Sequence, residues 1–402
     1  MRAGDILLVL NAGSSSIKFE VFESASPAPV SLVSGQVEGI GAAPHFVGKD
    51  AGGARIADRR WDGADAPANH AAALGVIIAW LEGAALKGRP IAAIGHRVVH
   101  GGPDLATPVV LDEATLATLR GLIPLAPLHQ PHNLAGIAAA AARYPGVPQV
   151  ACFDTAFHRS HCWEADTFAI PPEYYARGIR RYGFHGLSYE YIADRLAQED
   201  PALARGRIVV AHLGNGASLC AIHDGRSVDS TMGFTALDGV PMGTRSGQID
   251  PGVLLHLQDA EGMSTAQLTK LLYGACGLKG MSGVSQDVRE IEAAAAAGNE
   301  RAAGALSHFA WRVRREIGGL AAVMGGLDAL VFTAGIGENA RTLRTRICEG
   351  LDFLGITLDP DRNEANADEI SPPASRVRVL VRKTDEELMI ARHVLERLGY
   401  GD

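Results

Sequence analysis

Three consecutive runs near the start of the chain decide its fold: Ile6-Leu7-Leu8-Val9-Leu10, then Asn11-Ala12-Gly13-Ser14-Ser15-Ser16, then Ile17-Lys18-Phe19-Glu20-Val21-Phe22. The first is continuously apolar and reads as a buried strand. The small residues read as a turn, and the alternation after them as a second strand with one face in the core. Arg2 ahead of an apolar run suggests a secretion signal, but the run is shorter than the ~7–15 residues of such a core and Asp5 abuts it. The same device returns in the second half: Ile208–Ala211, then His212-Leu213-Gly214-Asn215-Gly216-Ala217-Ser218, then Leu219–Ile222, with Asp224-Gly225 as a hairpin turn. One copy in each half predicts two related α/β domains.

Between the two copies lie helices. Asp112 caps Glu113–Leu119, Pro131 opens an alanine-rich helix that stops at Tyr144-Pro145-Gly146, and Gln149–Phe153 is a short strand ending at Asp154. Ser188 is expected to cap a helix to about residue 197, and Asp250-Pro251 to open another. A long helix follows Asn299 and ends at Gly325-Gly326; Leu327–Thr333 and Val377–Val381 are strands. Thr384–Glu387 fits a capping box for the last helix.

The length, 402 residues, suits two domains of roughly 150 or more each. The net charge of −8, from 37 basic and 45 acidic residues, gives no attraction to nucleic acid or to an anionic membrane. An anionic substrate must therefore be caught by a few local cations. Five widely spaced cysteines with no C-x-x-C argue against a disulfide framework or a zinc ribbon and fit a reducing compartment. Cys152, His158, His161 and Cys162 match no standard zinc spacing. No apolar run approaches the ~20 residues of a spanning helix, so the expected location is the cytoplasm.

Asn11–Ser16, Leu213–Ser218 and Gly335-Ile336-Gly337-Glu338-Asn339 each follow a buried strand and lack bulky side chains. A phosphate needs several backbone N–H groups at short range, which such turns supply; the third also opens a helix. Singly they are ordinary turns, but three together point to a nucleotide. Gly335–Ala340 also fits G-x-G-x-x-A, the fingerprint of an NAD-dependent oxidoreductase, which leaves the other two turns without a role. No G-x-x-x-x-G-K-[ST] occurs. Charged residues gather in loops at strand ends: His96–Gly102 with Arg97, Leu128-His129-Gln130-Pro131, Phe153-Asp154-Thr155, Tyr182–Gly186 with His185, and Met242–Gly247 with Arg245.

In this order, over nearly the whole chain up to Thr384-Asp385-Glu386-Glu387-Leu388, these segments resemble the acetate kinase family. The resemblance implies the actin-like, sugar-kinase-like and Hsp70-like (ribonuclease H-type) fold, with two α/β domains hinged around a nucleotide cleft, and a homodimer. The expected division is residues 1–152 with 388–402, against 153–387 carrying most of the ATP site. The implied reaction is reversible transfer of the γ-phosphoryl group of ATP to acetate, giving acetyl phosphate and ADP.

A carboxylic acid is already ionised at neutral pH, so no general base is required. Alignment and positive charge should carry the catalysis. By resemblance, Arg97 holds the substrate carboxylate and phosphate, Arg245 and His185 stabilise the phosphoryl oxygens, Asp154 is catalytic, and His129 touches the phosphoryl site. On physical grounds Asp154 positions an arginine, a metal-bound water or the nucleophile. Asn11 and Glu386 match the family's magnesium positions, which manganese could also fill; the capping box assigns Glu387 to the backbone. Lys18, His212, Leu213, Gly214, Asn215, Gly216, Asp287, Val288, Arg289, Gly335, Ile336, Gly337, Glu338 and Asn339 match the ATP positions. Val99, Leu128 and Phe184 match the acyl pocket. Ala236 stands where proline is common, and Gln130 where asparagine is, which leaves a propionate- or butyrate-preferring kinase as one alternative. An ATP-driven conformational switch is a more remote one.

Overall fold

The computed structural model describes residues 2–13, 15–26, 28–63 and 65–399, so Ser14 of the first turn lies outside the described residues. The chain divides into two compact units, residues 1–156 with 385–402 and residues 157–384.

The first unit is built on eight strands: β1 (Ile6–Ala12), β2 (Ser16–Glu23), β3 (Val30–Glu38), β4 (His45–Asp50), β5 (Arg55–Arg60), β6 (Ile91–Val98), β7 (Val109–Val110) and β8 (Gln149–Phe153). Their order is β5-β4-β3-β2-β1-β6-β8-β7. Helices α1 (His70–Trp80), α2 (Glu113–Gly121) and α3 (Gln130–Arg143) belong to this unit, as does the C-terminal helix Glu386–Arg397. Strand β1 is continuously apolar because both its faces are covered. Leu8 and Leu10 join Leu74 and Ile77 of α1 and Ala140 of α3 in one core. The C-terminal helix packs elsewhere on the sheet: a Cβ added at Gly95 of β6 would stand 2.5 Å from Ile390 and 2.8 Å from Val394, so glycine is required by this close approach.

The second unit has β9 (Arg207–Leu213), β10 (Ala217–His223), β11 (Arg226–Ser230), β12 (Ala329–Thr333) and β13 (Arg378–Val381), in the order β11-β10-β9-β12-β13. Its helices include α4 (Gly186–Glu199), α5 (Pro251–Asp259), α6 (Glu300–Val323), α7 (Ala334–Asn339) and α8 (Arg341–Cys348). Tyr189, Ile192 and Leu196 of α4 pack against Val210, Ile222, Val331 and Leu380 of the sheet. Asn299 caps α6 by accepting from Ala302 N. Asp224 and Gly225, at φ 50° and 72°, supply the two left-handed residues of a type I′ hairpin.

The two sheets share one topology. β3-β2-β1-β6-β8 and β11-β10-β9-β12-β13 run antiparallel, antiparallel, parallel, parallel in turn. This is the repeat announced by the two strand–turn–strand segments. Among the described residues no helix is long and apolar enough to cross a membrane.

Several sequence expectations need correction. Asp154, Glu386 and Glu387 fall in the first unit, not the second. Strand β8 pairs with β6 through Phe153, and Asp154 N still donates to Val98 O, so the sheet carries the chain past residue 152. The C-terminal helix likewise enters the first unit at its first turn. Asn11 and Ala12 pair with Lys18 and Ile17 as strand residues, which shortens the first turn. Ser188 does not cap α4; His185 holds the N-cap position, and the Ser188 hydroxyl is engaged by His212. The capping box at Thr384 does not form, because the Asp385 carboxylate already accepts from Leu388 N. The third small-residue segment is itself the short helix α7, entered through Ala334 at φ 62°.

Candidate active site

In the first unit the C-terminal ends of parallel strands bring charge together, as α/β folds do. Arg97 is the penultimate residue of β6 and Asp154 immediately follows β8. The guanidinium meets the carboxylate with two bonds, Nε to Oδ1 at 2.8 Å and Nη2 to Oδ2 at 2.5 Å. Its third nitrogen, Nη1, donates to Asn11 Oδ1 at 3.1 Å. Asn11 Nδ2 in turn donates to Glu387 Oε1 at 3.1 Å. Glu386 Oε2 lies 3.6 Å from Arg97 Nε. Of the three roles open to Asp154, orienting an arginine is the one this geometry displays.

Burial opposes the charge on Arg97, but the Asp154 and Glu386 carboxylates outweigh it and push its pKa further up. Burial also pushes Glu386 up to about 7, with Arg97 pulling it down and Asp154 and Glu387 adding to the rise. Around Glu386, Arg97 and Lys18 supply positive charge against the carboxylates of Asp154 and Glu387. The surplus of negative charge on hard oxygens suits a divalent cation. Among the described residues no group of three or more His, Cys, Asp or Glu is arranged to cage a metal. Magnesium is commonly held by one or two carboxylates plus water and substrate phosphate, so Asn11 and Glu386 fit it.

Lys18 is exposed on β2 and lines a groove with Glu20 and Glu387. His129 occupies the N-cap position of α3. Nearby, the buried Asn133 accepts from Val99 N at 3.0 Å and donates to Ala12 O at 2.7 Å, tying the end of β1 to the residue after β6. Leu128 is exposed, and Val99 is buried. Gln130 uses its amide to hold His100 O and Leu119 O. It is therefore a structural clamp in this chain.

In the second unit His185 takes a left-handed conformation, φ 58°, where β-carbon crowding is normally avoided. Its ring stacks on His212, centroids 4.2 Å apart and planes 15° apart. A Cβ built at Gly216 would lie 3.2 Å from His185 Nε2 and 3.6 Å from Arg245 Nη2. Imidazole and guanidinium thus converge on the backbone of the Gly214–Gly216 turn. Arg245 Nη1 donates to Ala236 O at 2.7 Å, and Gly243 N donates to Asn215 O at 3.0 Å, so the Met242–Gly247 loop is stitched to the same turn. Ala236 thereby serves the arginine through its carbonyl. Phe184 is buried, its carbonyl accepting from His158 Nε2.

Beside this turn is a cavity of about 610 Å³, lined by Gly214, Asn215, Asp287, Val288, Arg289, Gly335, Ile336 and Asn339. All eight were named as nucleotide positions from sequence; Gln286, Glu292 and Ala340 line it as well and were not. His212, Leu213, Gly216, Gly337 and Glu338 do not line it. Gly337 faces Phe332 and Ala211, where a β-carbon would make only ordinary van der Waals contact. The Glu338 carbonyl is held by the buried Arg344, which also donates to Gly337 O, Asn363 and Asn366.

Glu387, Asn133, Ser188, Tyr189, Ser218 and Arg344 were missed as site residues. Tyr189 stands four residues beyond His185 on one helix, a spacing that places them on one face and was readable in principle. The others act through contacts distant in sequence. His158 and His161 are no metal pair: both address the Ser227 hydroxyl, at 2.8 and 2.7 Å. Burial drives the pKa of His158 well down and that of His161 to about 3, so both are neutral.

Residues 6–392 match the acetokinase family. The chain is 52% identical over 395 residues to an acetate kinase of Nitrobacter hamburgensis, covering 98% of this chain and 96% of the relative. Its structure resembles that of Porphyromonas gingivalis acetate kinase, at 39% identity and a TM-score of 0.86 over 98% of this chain and 100% of the other. It also resembles a propionate kinase from Francisella tularensis, at 37% identity and a TM-score of 0.89 over 97% and 98% of the two chains.

Proposed function

The chain belongs to the acetokinase family, and from that premise we propose that it is an ATP:acetate phosphotransferase acting by direct in-line transfer. A carboxylate oxygen of acetate attacks the γ-phosphorus, the bond to the β–γ bridging oxygen breaks, and ADP leaves with that electron pair. No proton changes hands, so the protein has only to align two anions and to neutralise their charge.

The observation that carries this reading is the convergence of His185 Nε2 and Arg245 Nη2 on Gly216, beside the cavity shared by the Gly214–Asn215 and Gly335–Asn339 segments. The cavity takes the nucleotide, and the turn takes the phosphoryl group. His185 and Arg245 donate to its oxygens as charge builds there. Arg97 holds the acetate carboxylate through whichever N–H edges Asp154 leaves available, and Asp154 fixes its plane. The family resemblance assigns His129 to the phosphoryl group. Asn11 and Glu386 hold Mg2+, which when bound supplies positive charge to the nucleotide phosphates. Lys18 and Glu387 border that metal position. We further read the enzyme as a cytoplasmic homodimer that serves acetyl-CoA formation through acetyl phosphate.

The test is a hydroxamate assay with ATP and Mg2+, run on acetate, propionate and butyrate side by side. The highest kcat/KM on acetate supports the assignment, and no hydroxamate with any acid overturns it. A second reading, preference for propionate, is favoured by alanine at position 236 and by the likeness to the Francisella propionate kinase. One methylene changes discrimination by only about 1–3 kcal/mol, so activity on both acids is expected, with the order decided by the assay.

A further inference from the structure

The stacked imidazoles of the second unit each offer one ring nitrogen to a buried serine. His185 Nδ1 lies 2.8 Å from Ser218 Oγ, and His212 Nδ1 lies 2.8 Å from Ser188 Oγ. Ser188 and Ser218 are both fully buried. The Ser218 oxygen is also 2.5 Å from the Tyr189 hydroxyl. The opposite ring nitrogens look toward the turn: a Cβ at Gly216 would be 3.2 Å from His185 Nε2, and one at Gly214 would be 3.9 Å from His212 Nε2.

We propose that Tyr189, Ser218 and Ser188 set the tautomers of this pair, so that neutral His185 and His212 carry their ring protons on Nε2, facing the Gly214–Gly216 turn. A serine hydroxyl has one proton to give. The Tyr189 phenol, with an ordinary pKa near 10, is a far stronger acid than an aliphatic alcohol and donates to Ser218. The Ser218 proton then goes to His185 Nδ1. A neutral imidazole that accepts at Nδ1 must hold its proton on Nε2. Ser188 makes the same contact with His212 Nδ1, at 2.8 Å, and is assigned the same direction of donation.

Among the groups that face His185 are His212 from β9, Ser218 from β10, Tyr189 from α4 and Arg245 from the Met242–Gly247 loop. Two imidazolium ions stacked at 4.2 Å next to a guanidinium would repel one another. Fixed neutral tautomers give two N–H donors without that repulsion. They also make donation independent of pH above the usual histidine range near 6.5. Tyr189, Ser218 and Ser188 are positioning residues: they act through the histidines. The catalytic use of the tautomers rests on the phosphoryl-site reading, but the tautomers themselves do not.

The test reads both. Ring 15N and 1H correlations on histidine-labelled full chain, at about pH 7.5, report which nitrogen is protonated. The His185 and His212 signals are assigned by their loss in His185→Asn and His212→Asn. Nε2–H on both rings is expected, with the His185 pattern shifting toward Nδ1–H in Tyr189→Phe and Ser218→Ala. Nδ1–H in the wild type overturns the proposal. In the acyl phosphate assay, both variants should lose about tenfold in kcat at the same pH. KM for ATP should hold. A loss of turnover with the His185 ring still protonated on Nε2 would mean the residues only support the fold. If no acid is phosphorylated the function is wrong, and the NMR still decides the tautomers.

Discussion

The residue that discriminates best between a working phosphoryl site and a mere turn is Gly216. Its backbone is not in the left-handed region, so alanine meets no conformational penalty there. What a methyl would meet is chemistry: His185 Nε2 at 3.2 Å and Arg245 Nη2 at 3.6 Å. Gly216→Ala should therefore leave the unfolding free energy within ~1 kcal/mol of wild type. It should also lower kcat by about a hundredfold, because displacement of reacting groups by an ångström costs that much. Thermal melts and the hydroxamate assay on one preparation check the two halves together. Arg97 behaves differently. Its two bonds to Asp154 are made in a buried place, and removing one partner strands the other, at a cost of ~3–5 kcal/mol. Asp154→Ala should accordingly lose stability as well as turnover, and a urea titration should show a lower midpoint.

At the scale of elements, the first turn of the C-terminal helix has two tasks. It presents Glu386 and Glu387, and it begins at a cap made by Asp385 accepting from Leu388 N. Loss of an N-cap acceptor costs about 0.5–2 kcal/mol and frays the first turn. Asp385→Ala should therefore cost about 1 kcal/mol of stability while weakening Mg2+ dependence of activity severalfold. Asp385→Asn, which keeps the acceptor, should restore both. The sequence had placed this cap one residue early, at Thr384. The error is instructive: Thr-x-x-Glu and Asp-x-x-Leu overlap there, and only the tertiary demand on Glu387 by Asn11 decides between them. Strands and turns were legible where local chemistry rules, as in Ile6–Leu10, Asp224-Gly225 and Asn299. Of the cavity-lining residues, Gly214, Asn215, Gly335 and Asn339 stand in small-residue segments that follow strands and were readable locally, whereas Asp287, Val288 and Arg289 came only with the resemblance. Glu387, Asn133 and Arg344 were not, since their partners are fixed by strand order and helix docking, which no local pattern encodes. Ser188 was misread because a serine near a helix start serves as a cap more often than as a partner for histidine.

At the scale of the whole molecule, both units bury histidines that must stay neutral, and both should fail in acid for that reason. In the first unit burial brings His96 down to about 4, against a smaller rise from its hydrogen bond with Gln149. In the second, burial brings His161 to about 3 and His158 well below its ordinary value. In the unfolded chain each takes its proton near pH 6.5. The folded pKa lies below the unfolded one, so the unfolded state binds more protons between the two values. Stability is then fully present above pH 6.5 and falls as pH drops toward 4. The loss is on the order of a few kcal/mol per buried ring over that window. Glu20 works in the opposite sense. Burial raises it to about 7, with the Ser31 hydrogen bond opposing and Asp385 and Glu387 reinforcing the rise. Its favourable term is complete below the unfolded value near 4.5 and disappears as pH rises through 7. The two windows overlap below pH 7, so the three imidazoles outweigh the single carboxyl there, and stability rises with pH and levels off near neutrality. Urea midpoints measured from about pH 4.5 to 8.5 should trace that curve. Glu20→Gln should steepen the rise between about pH 4.5 and 7, and His96→Gln should soften it. A midpoint that kept climbing as pH fell below 6 would show that the buried imidazoles accept protons without penalty, contrary to their burial.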